Sequence, residues 1–135
     1  MTWMVNTIEI DLRLRKIWLS IGYALLSMTA VLSLIPIPGP DIGGGDKLVH
    51  FVTYALLSGW FSLIVKNTRT LWAVLFGLIA FGLLMEYLQG FTSYRRQDID
   101  DAIANSAGVM VGIAIHYSPL RGMLVNFDKF LHARF

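Results

Sequence analysis

Four long apolar blocks, separated by short polar or Pro-Gly-rich breaks, organise this chain. The first runs from about Ile17 to Ile35, the second from about Lys47 to Val65, the third from about Thr70 to Gly90 and the fourth from about Ile99 to Tyr117. Each is close to the roughly 20 residues a helix needs to cross hydrocarbon. The break PIPGPDIGGG, Pro36 to Gly45, cannot continue a helix, because proline removes donors and glycine raises the entropic cost. The break KNTR, Lys66 to Arg69, is so short that the helices on either side must form an antiparallel hairpin. Arg13, Arg15 and Lys16 precede the first block, as basic residues precede the core of a signal peptide. The block is nevertheless as long as a full span, and no small-x-small site follows it, so an uncleaved helix is expected. After Tyr117 the tail mixes basic and aromatic residues, the pattern of an amphipathic helix lying on a membrane surface.

Composition agrees with this pattern. Of 135 residues, 56% are hydrophobic and 15% charged, whereas a soluble domain is about 45–50% apolar and about 25% charged. The expected architecture is a single all-α domain over residues 1–135, an integral membrane bundle of four transmembrane helices. The formal charge of +2 and the pI of about 9.1 do not point to nucleic acid, because the basic residues are not gathered into a patch. They are placed as topology signals. Arg13, Arg15, Lys16, Lys66, Arg69, Arg121, Lys129 and Arg134, eight of the eleven, fall on one side of a four-span arrangement. The positive-inside rule makes that side, with both termini, cytoplasmic. Trp18, Trp72 and Tyr117 then sit at the cytoplasmic interface as an aromatic belt, with His116 and His132 beside them. There is no cysteine, so disulfides and thiolate metal sites are excluded.

The stretch EYLQGFTSYRRQDIDDAIAN, Glu86 to Asn105, breaks the apolar pattern. In this topology Asp46, Lys47 and His50 open the second helix, Glu86 and Gln89 close the third, and Asp98, Asp101 and Asn105 open the fourth. All lie within about two turns of the outer boundary at ~1.5 Å of rise per residue. Six of the nine carboxylates belong to this zone: Asp41, Asp46, Glu86, Asp98, Asp100 and Asp101. Asp46 and His50 share a helix face at i, i+4. Asp98, Asp101 and Asn105 share another, which continues as Gly108 and Gly112, a GxxxG pair that lets a neighbouring helix come close. Asp100 points away from that face. Asp98 is also placed to cap the fourth helix, and Asp41 belongs to a loop. A carboxylate at membrane depth marks either a functional site or a structural polar network, and Arg95 or Lys47 is the cation expected to offset Glu86. Arg95 on the outer side runs against the charge bias, which points to pairing with carboxylates or holding a phosphate. Arg96 reads as a solvated anchor.

DKLVHFVTY, then Glu86 with Gln89, then Arg95, Asp98, Asp101, Asn105, Gly108 and Gly112 at their spacing, resemble the VanZ-like family of small membrane proteins. The likeness covers about Asp46 to Gly112. Two departures are Tyr94, where a small residue or proline is usual, and the second arginine, Arg96. The resemblance implies a four-helix protein of the cell envelope, in a bacterial plasma (inner) membrane, with a link to resistance to the glycopeptide teicoplanin. It also marks Tyr54 as a motif position.

Three functions fit these residues. In the first, an envelope lipid or lipid-linked glycan is bound or modified. Arg95, Asp46, Lys47, Gln89, Asp98, Asn105 and Tyr54 would bind it, while Glu86 or Asp101 acts as general base and His50 as acid or base. Nothing in the sequence requires a cofactor. A divalent metal among Asp46, Glu86, Asp98 and Asp101 would suit their hard oxygen ligands. In the second, the protein is a small transporter or flippase using the carboxylates as a proton relay. In the third, the cluster is a structural network without activity. The residue types alone do not decide whether a reaction is catalysed.

Overall fold

A computed structural model describes residues 11–36 and 45–135. Among the described residues the chain forms five α-helices and no strand. They are α1 (Arg15–Leu34), α2 (Gly45–Ile64), α3 (Thr68–Gln89), α4 (Ile99–Ile113) and α5 (Leu120–His132), with one 3₁₀ turn (Ala114–Tyr117) between α4 and α5. The helices begin and end within a few residues of the expected blocks. The fourth block differs in form, being a 15-residue α-helix that tightens into the 3₁₀ turn. Among the described residues α1, α2 from Asp46, and α3 are long and apolar enough to cross a membrane. A fourth span is added if α4, the 3₁₀ turn and α5, bent by 67°, count as one broken unit. Asp41 lies outside the described residues.

The outer surface is apolar along these helices. Leu48, Val52 and Leu56 of α2, Phe76, Leu83 and Leu84 of α3, and Met110 and Val111 of α4 are all exposed. Such continuous exposed apolar surface is a liability in water and is matched by lipid. The interior holds two small cores. One joins Tyr54, Leu57, Phe61, Leu78 and Val109, and the other joins Leu12, Trp18 and Ile64.

Helix α2 is the hub, touching every other helix, and its tightest partner is α4. Glycine makes that contact possible. A Cβ at Gly108 would overlap the Phe51 carbonyl oxygen, and one at Gly112 would overlap the Ser58 hydroxyl and the Ala55 carbonyl. The backbones therefore meet with no side chain between them. Ser58 fastens the crossing by donating to the Val109 carbonyl at 2.8 Å. Asp101, Asn105, Gly108 and Gly112 are all buried, so α4 turns inward the face that its i, i+3, i+7 spacing implies.

Helix ends are tied by residues distant in sequence. Leu14, the N-cap of α1, has no capping side chain of its own. Asp128 of α5 instead anchors the chain just before the helix, accepting the amide N–H groups of Arg13 (2.8 Å) and Leu14 (3.0 Å), and also the indole N–H of Trp18 (2.7 Å). At the other end of α1, Gln89 donates to the Ser33 carbonyl at 2.8 Å and the Tyr94 hydroxyl donates to the Leu34 carbonyl. The open carbonyls at the end of α2 are met by Arg15 on Ile64 (2.8 Å) and Arg121 on Val65 (2.8 Å) and Lys66 (3.1 Å). These guanidiniums supply the donors that a helix C-terminus lacks.

Two expectations change here. Trp18 is buried against Trp60 and Phe127 and bonded to Asp128, so it belongs to the core, while Trp72 and Tyr117 remain exposed. His116 is also buried and donates from Nδ1 to the Ser62 carbonyl at 2.9 Å, because a carbonyl only accepts. Both are drawn inward by a polar group that needs a partner away from water. His132 stays exposed. The tail does form a helix with an exposed apolar stripe of Leu120, Met123, Phe127 and Phe130.

Gly112→Leu should prevent the close approach of α2 and α4. The side chain would have to displace backbone, and overpacking of this kind costs about 1–3 kcal/mol or more. A Cβ at Gly77 meets nothing within 4 Å, so Gly77→Ala should melt like the parent. Thermal melting of both variants in detergent checks the contrast, and a Gly112→Leu protein as stable as the parent would contradict the packing.

Candidate functional site

The close α2–α4 crossing brings the first turns of both helices together, and the last turn of α3 joins them. From α2 come Asp46, Lys47 and His50, from α3 Glu86, and from α4 Asp98, Asp101 and Asn105. Lys47 Nζ lies 3.2 Å from Asp98 Oδ2 and 3.4 Å from Asp101 Oδ1, bridging two carboxylates of α4. His50 sits at the centre. Its Nδ1 is 3.0 Å from Asn105 Oδ1. An amide oxygen only accepts, so Nδ1 carries the hydrogen. Its Nε2 faces Asp46 Oδ1 at 3.6 Å and Asp101 Oδ2 at 3.7 Å. Glu86 Oε1 approaches Nδ1 at 3.9 Å.

Exposure is graded across the cluster. The Asp46 side chain is 63% exposed, Lys47 44% and Asp98 43%, whereas His50 is 11%, Asp101 9% and Glu86 7% exposed. The members at the rim are open to the surroundings, and the inner ones are shielded. Glu86 Oε2 accepts the Asp98 amide N–H at 3.4 Å, but Oε1 is buried without a hydrogen-bond partner. One turn below His50, the Tyr54 hydroxyl is likewise buried and unpartnered. Two oxygens shielded from water without partners are an energetic cost that a bound group would relieve.

Asp98 caps α4, accepting the Asp100 amide at 2.9 Å. That amide and then the Lys47 ammonium hold the Asp98 carboxyl below its ordinary range, outweighing the opposing effect of burial. Asp100 and Arg96 are exposed and outside the cluster.

Three expected site residues are placed differently. The cation for Glu86 is neither Arg95 nor Lys47. Lys47 is drawn to the carboxylates at the start of α4, and Arg95 lines a cleft between α1 and α2. Among the described residues Arg95 pairs with no carboxylate. Gln89 is buried but turned toward α1, where it holds the Ser33 carbonyl.

The cleft has a volume of about 360 Å³ and lies between α1 and α2. Leu25, Met28, Leu32, Val49, Leu56 and Leu57 make its apolar walls, while Asp46, His50, Tyr54 and Arg95 supply polar lining. The contribution of α1 is not among the sequence expectations. Its signal is present, because Leu25, Met28, Thr29, Leu32 and Ser33 share one helical face that carries two of the few hydroxyls in the block. Asp128, the single acidic residue after Asp101, is not among the sequence expectations either.

The family profile described as VanZ/LLP1 matches residues 4–122 of the chain. A protein of fission yeast, Schizosaccharomyces pombe, named "Uncharacterized protein C11E3.10", is 30% identical over 125 residues, covering 88% of this chain and 75% of that protein. No solved structure matches. The yeast relative is eukaryotic, so similarity of this kind is not confined to bacteria.

Asp98→Asn keeps a capping side chain but removes the charge that Lys47 faces. A carboxyl whose folded pKa is depressed stabilises the fold above its unfolded value of about 3.9 and loses that contribution as pH falls through the folded value. The parent should therefore melt higher than Asp98→Asn at neutral pH, with the gap closing below about pH 3.9. Melting curves across that range test this, and a gap that is independent of pH would contradict it.

Proposed function

This chain belongs to the VanZ/LLP1 family, and on that premise we propose that it is a multi-pass membrane protein of the cell envelope whose outer-face site binds the phosphate-bearing headgroup of an envelope lipid or lipid-linked glycan. The observation that carries this reading is the two-part lining of the α1–α2 cleft. Apolar side chains from both helices make a trough suited to an acyl or prenyl chain, and Arg95, His50 and Tyr54 provide a cation, an imidazole and an unpartnered hydroxyl for a headgroup. Leu56 is 69% exposed at the cleft wall, so the trough adjoins the surface that faces lipid. A guanidinium suits phosphate because its fork of donors matches the oxygens.

The same site holds the groups for an acid–base step on a bound headgroup, with Glu86 or Asp101 as base and His50 as acid. The packing below the site favours binding over passage. Beneath Tyr54 and Asn105 the bundle is filled by Leu57, Leu78 and Val109, and the polar side chains buried further in, Ser58, Ser62 and His116, are bonded to backbone carbonyls.

In this reading the bundle has four spans. The α4 helix and its 3₁₀ turn together reach about 30 Å at ~1.5 and ~2.0 Å of rise per residue, which matches the hydrocarbon thickness. The α5 helix then lies along the cytoplasmic surface, and both termini are cytoplasmic, as the charge bias of the loops favours. In a bacterial host the location is the plasma membrane, and a contribution to glycopeptide resistance belongs to the same proposal.

The natural absence of cysteine makes the orientation directly testable. In intact cells with a permeabilised outer layer, a membrane-impermeant maleimide should label Arg96→Cys, and should label Lys66→Cys only after lysis. The reverse pattern would invert the topology and place the polar site on the cytoplasmic side.

Ligand class can be tested in phosphatidylcholine nanodiscs with dodecyl phosphate, dodecanol and inorganic phosphate as probes. Dodecyl phosphate should bind best of the three. Losing a charge-assisted hydrogen bond costs about 1.5–3 kcal/mol, so Arg95→Gln should weaken it by roughly tenfold or more. Val49→Trp, at an exposed position on the cleft wall, should block it. Equal binding of dodecyl phosphate by the parent and both variants would refute the reading.

A further inference from the structure

We infer that Asp46, His50 and Asp101 form a divalent metal site, of the class that takes Zn²⁺ or Mn²⁺, at the outer ends of α2 and α4. The inference goes beyond the lipid reading and does not need it.

The geometry comes first. One ligand atom from each residue lies within 4.8 Å of the other two. The imidazole Nε2 stands 3.6 Å from Asp46 Oδ1 and 3.7 Å from Asp101 Oδ2. These separations are too long for hydrogen bonds. They are close to the spacing of ligands around one ion, since metal–ligand bonds of about 2.0–2.2 Å in a tetrahedron put the ligand atoms about 3.4 Å apart.

The tautomer comes second. His50 donates Nδ1–H to Asn105 Oδ1, so in the neutral imidazole the lone pair is on Nε2. Nε2 faces two carboxylate oxygens beyond hydrogen-bond range, and a cation between them would engage all three atoms. A ligating histidine is oriented in this way, with its second nitrogen bonded to an acceptor that fixes the ring.

Charge is the third observation. Asp46, Asp98, Asp101 and Glu86 converge on this site, and among the described residues the only ammonium or guanidinium within ion-pair distance of any of them is that of Lys47. Lys47 engages Oδ1 of Asp101 and leaves Oδ2 to face His50. A buried group adds to that charge: the Oε1 of Glu86 has no hydrogen-bond partner and lies 3.9 Å from Nδ1, at the other edge of the His50 ring. The site is therefore richer in negative charge than its own cations balance.

A mixed set of one imidazole nitrogen and two carboxylate oxygens favours an ion that accepts both donor types, which Zn²⁺ and Mn²⁺ do. Three protein ligands leave room for a further one, so a bound ion would have an open position toward the cleft.

The full chain, purified in detergent, stripped with EDTA and titrated with Zn²⁺ or Mn²⁺ alone, should take up one equivalent by elemental analysis. Asp46→Asn removes a ligand whose side chain is 63% exposed, so it should fold like the parent and bind at least tenfold more weakly. His50→Gln should do the same. Asn105→Leu leaves the three ligands in place but frees the ring, and should cost roughly 10–100-fold in affinity. Circular dichroism of each variant establishes that the helices persist. Less than one equivalent in the parent, or parental affinity in Asp46→Asn, overturns the site. Because no amphiphile probe is present, neither result depends on what the cleft binds.

Discussion

Backbone contact between α2 and α4 is the constraint from which the rest of the molecule follows. Where Gly108 and Gly112 meet Phe51, Ala55 and Ser58, no side chain separates the helices. Within a bilayer, packing of this sort replaces the hydrophobic drive that operates in water. Only at this separation does Lys47 reach Asp98 and Asp101, and only then does the imidazole of His50 reach Asn105. The polar layer is thus a product of small residues placed one and two turns further along the same helix. Those glycines carry no chemistry themselves, yet they allow the close α2–α4 approach across which Lys47 and His50 meet the side chains of α4.

The polar residues divide into two groups with different work. Those near the end of α2, among them Arg15, His116 and Arg121, satisfy carbonyls and close the bundle. One donor there is left over, the buried Nε of Arg121. At the opposite end the balance differs, because Glu86 Oε1 and the Tyr54 hydroxyl are buried without partners and carboxylates outnumber the cation that reaches them. Burying an unsatisfied group costs about 1–3 kcal/mol. Unpartnered oxygens beside a surplus of carboxylates are what separate the candidate site from the scaffolding end, where the groups mostly close on backbone carbonyls.

Much of the site was legible in the sequence because its signals are local. Asp46 with His50, and Asp101 with Asn105, Gly108 and Gly112, announce a shared face by spacing alone. The helices were legible for the same reason. What the sequence hid depends on pairing across long separations. Asp128 meets Arg13, Leu14 and Trp18 across 110 to 115 positions, and no periodicity reports that. Arg15 and Arg121 look like topology charges until the open carbonyls of α2 are placed beside them. Charge alone offers Arg95 either the carboxylates or a phosphate, and only the folded chain shows that it lines the cleft between α1 and α2.

The last turn of α3 joins two parts that would otherwise be independent. Glu86 reaches the polar layer, and three residues later Gln89 grips the Ser33 carbonyl at the end of α1. A single helical turn is stiff, so these two side chains move as one body. The wall of the cleft that α1 provides is therefore mechanically coupled to the carboxylate beside His50. Any widening of the groove that carries the end of α1 away from α2 must either break the Gln89 amide from Ser33 or draw Glu86 along with it. Geometry in the polar layer and the width of the apolar cleft are accordingly linked through one turn of α3.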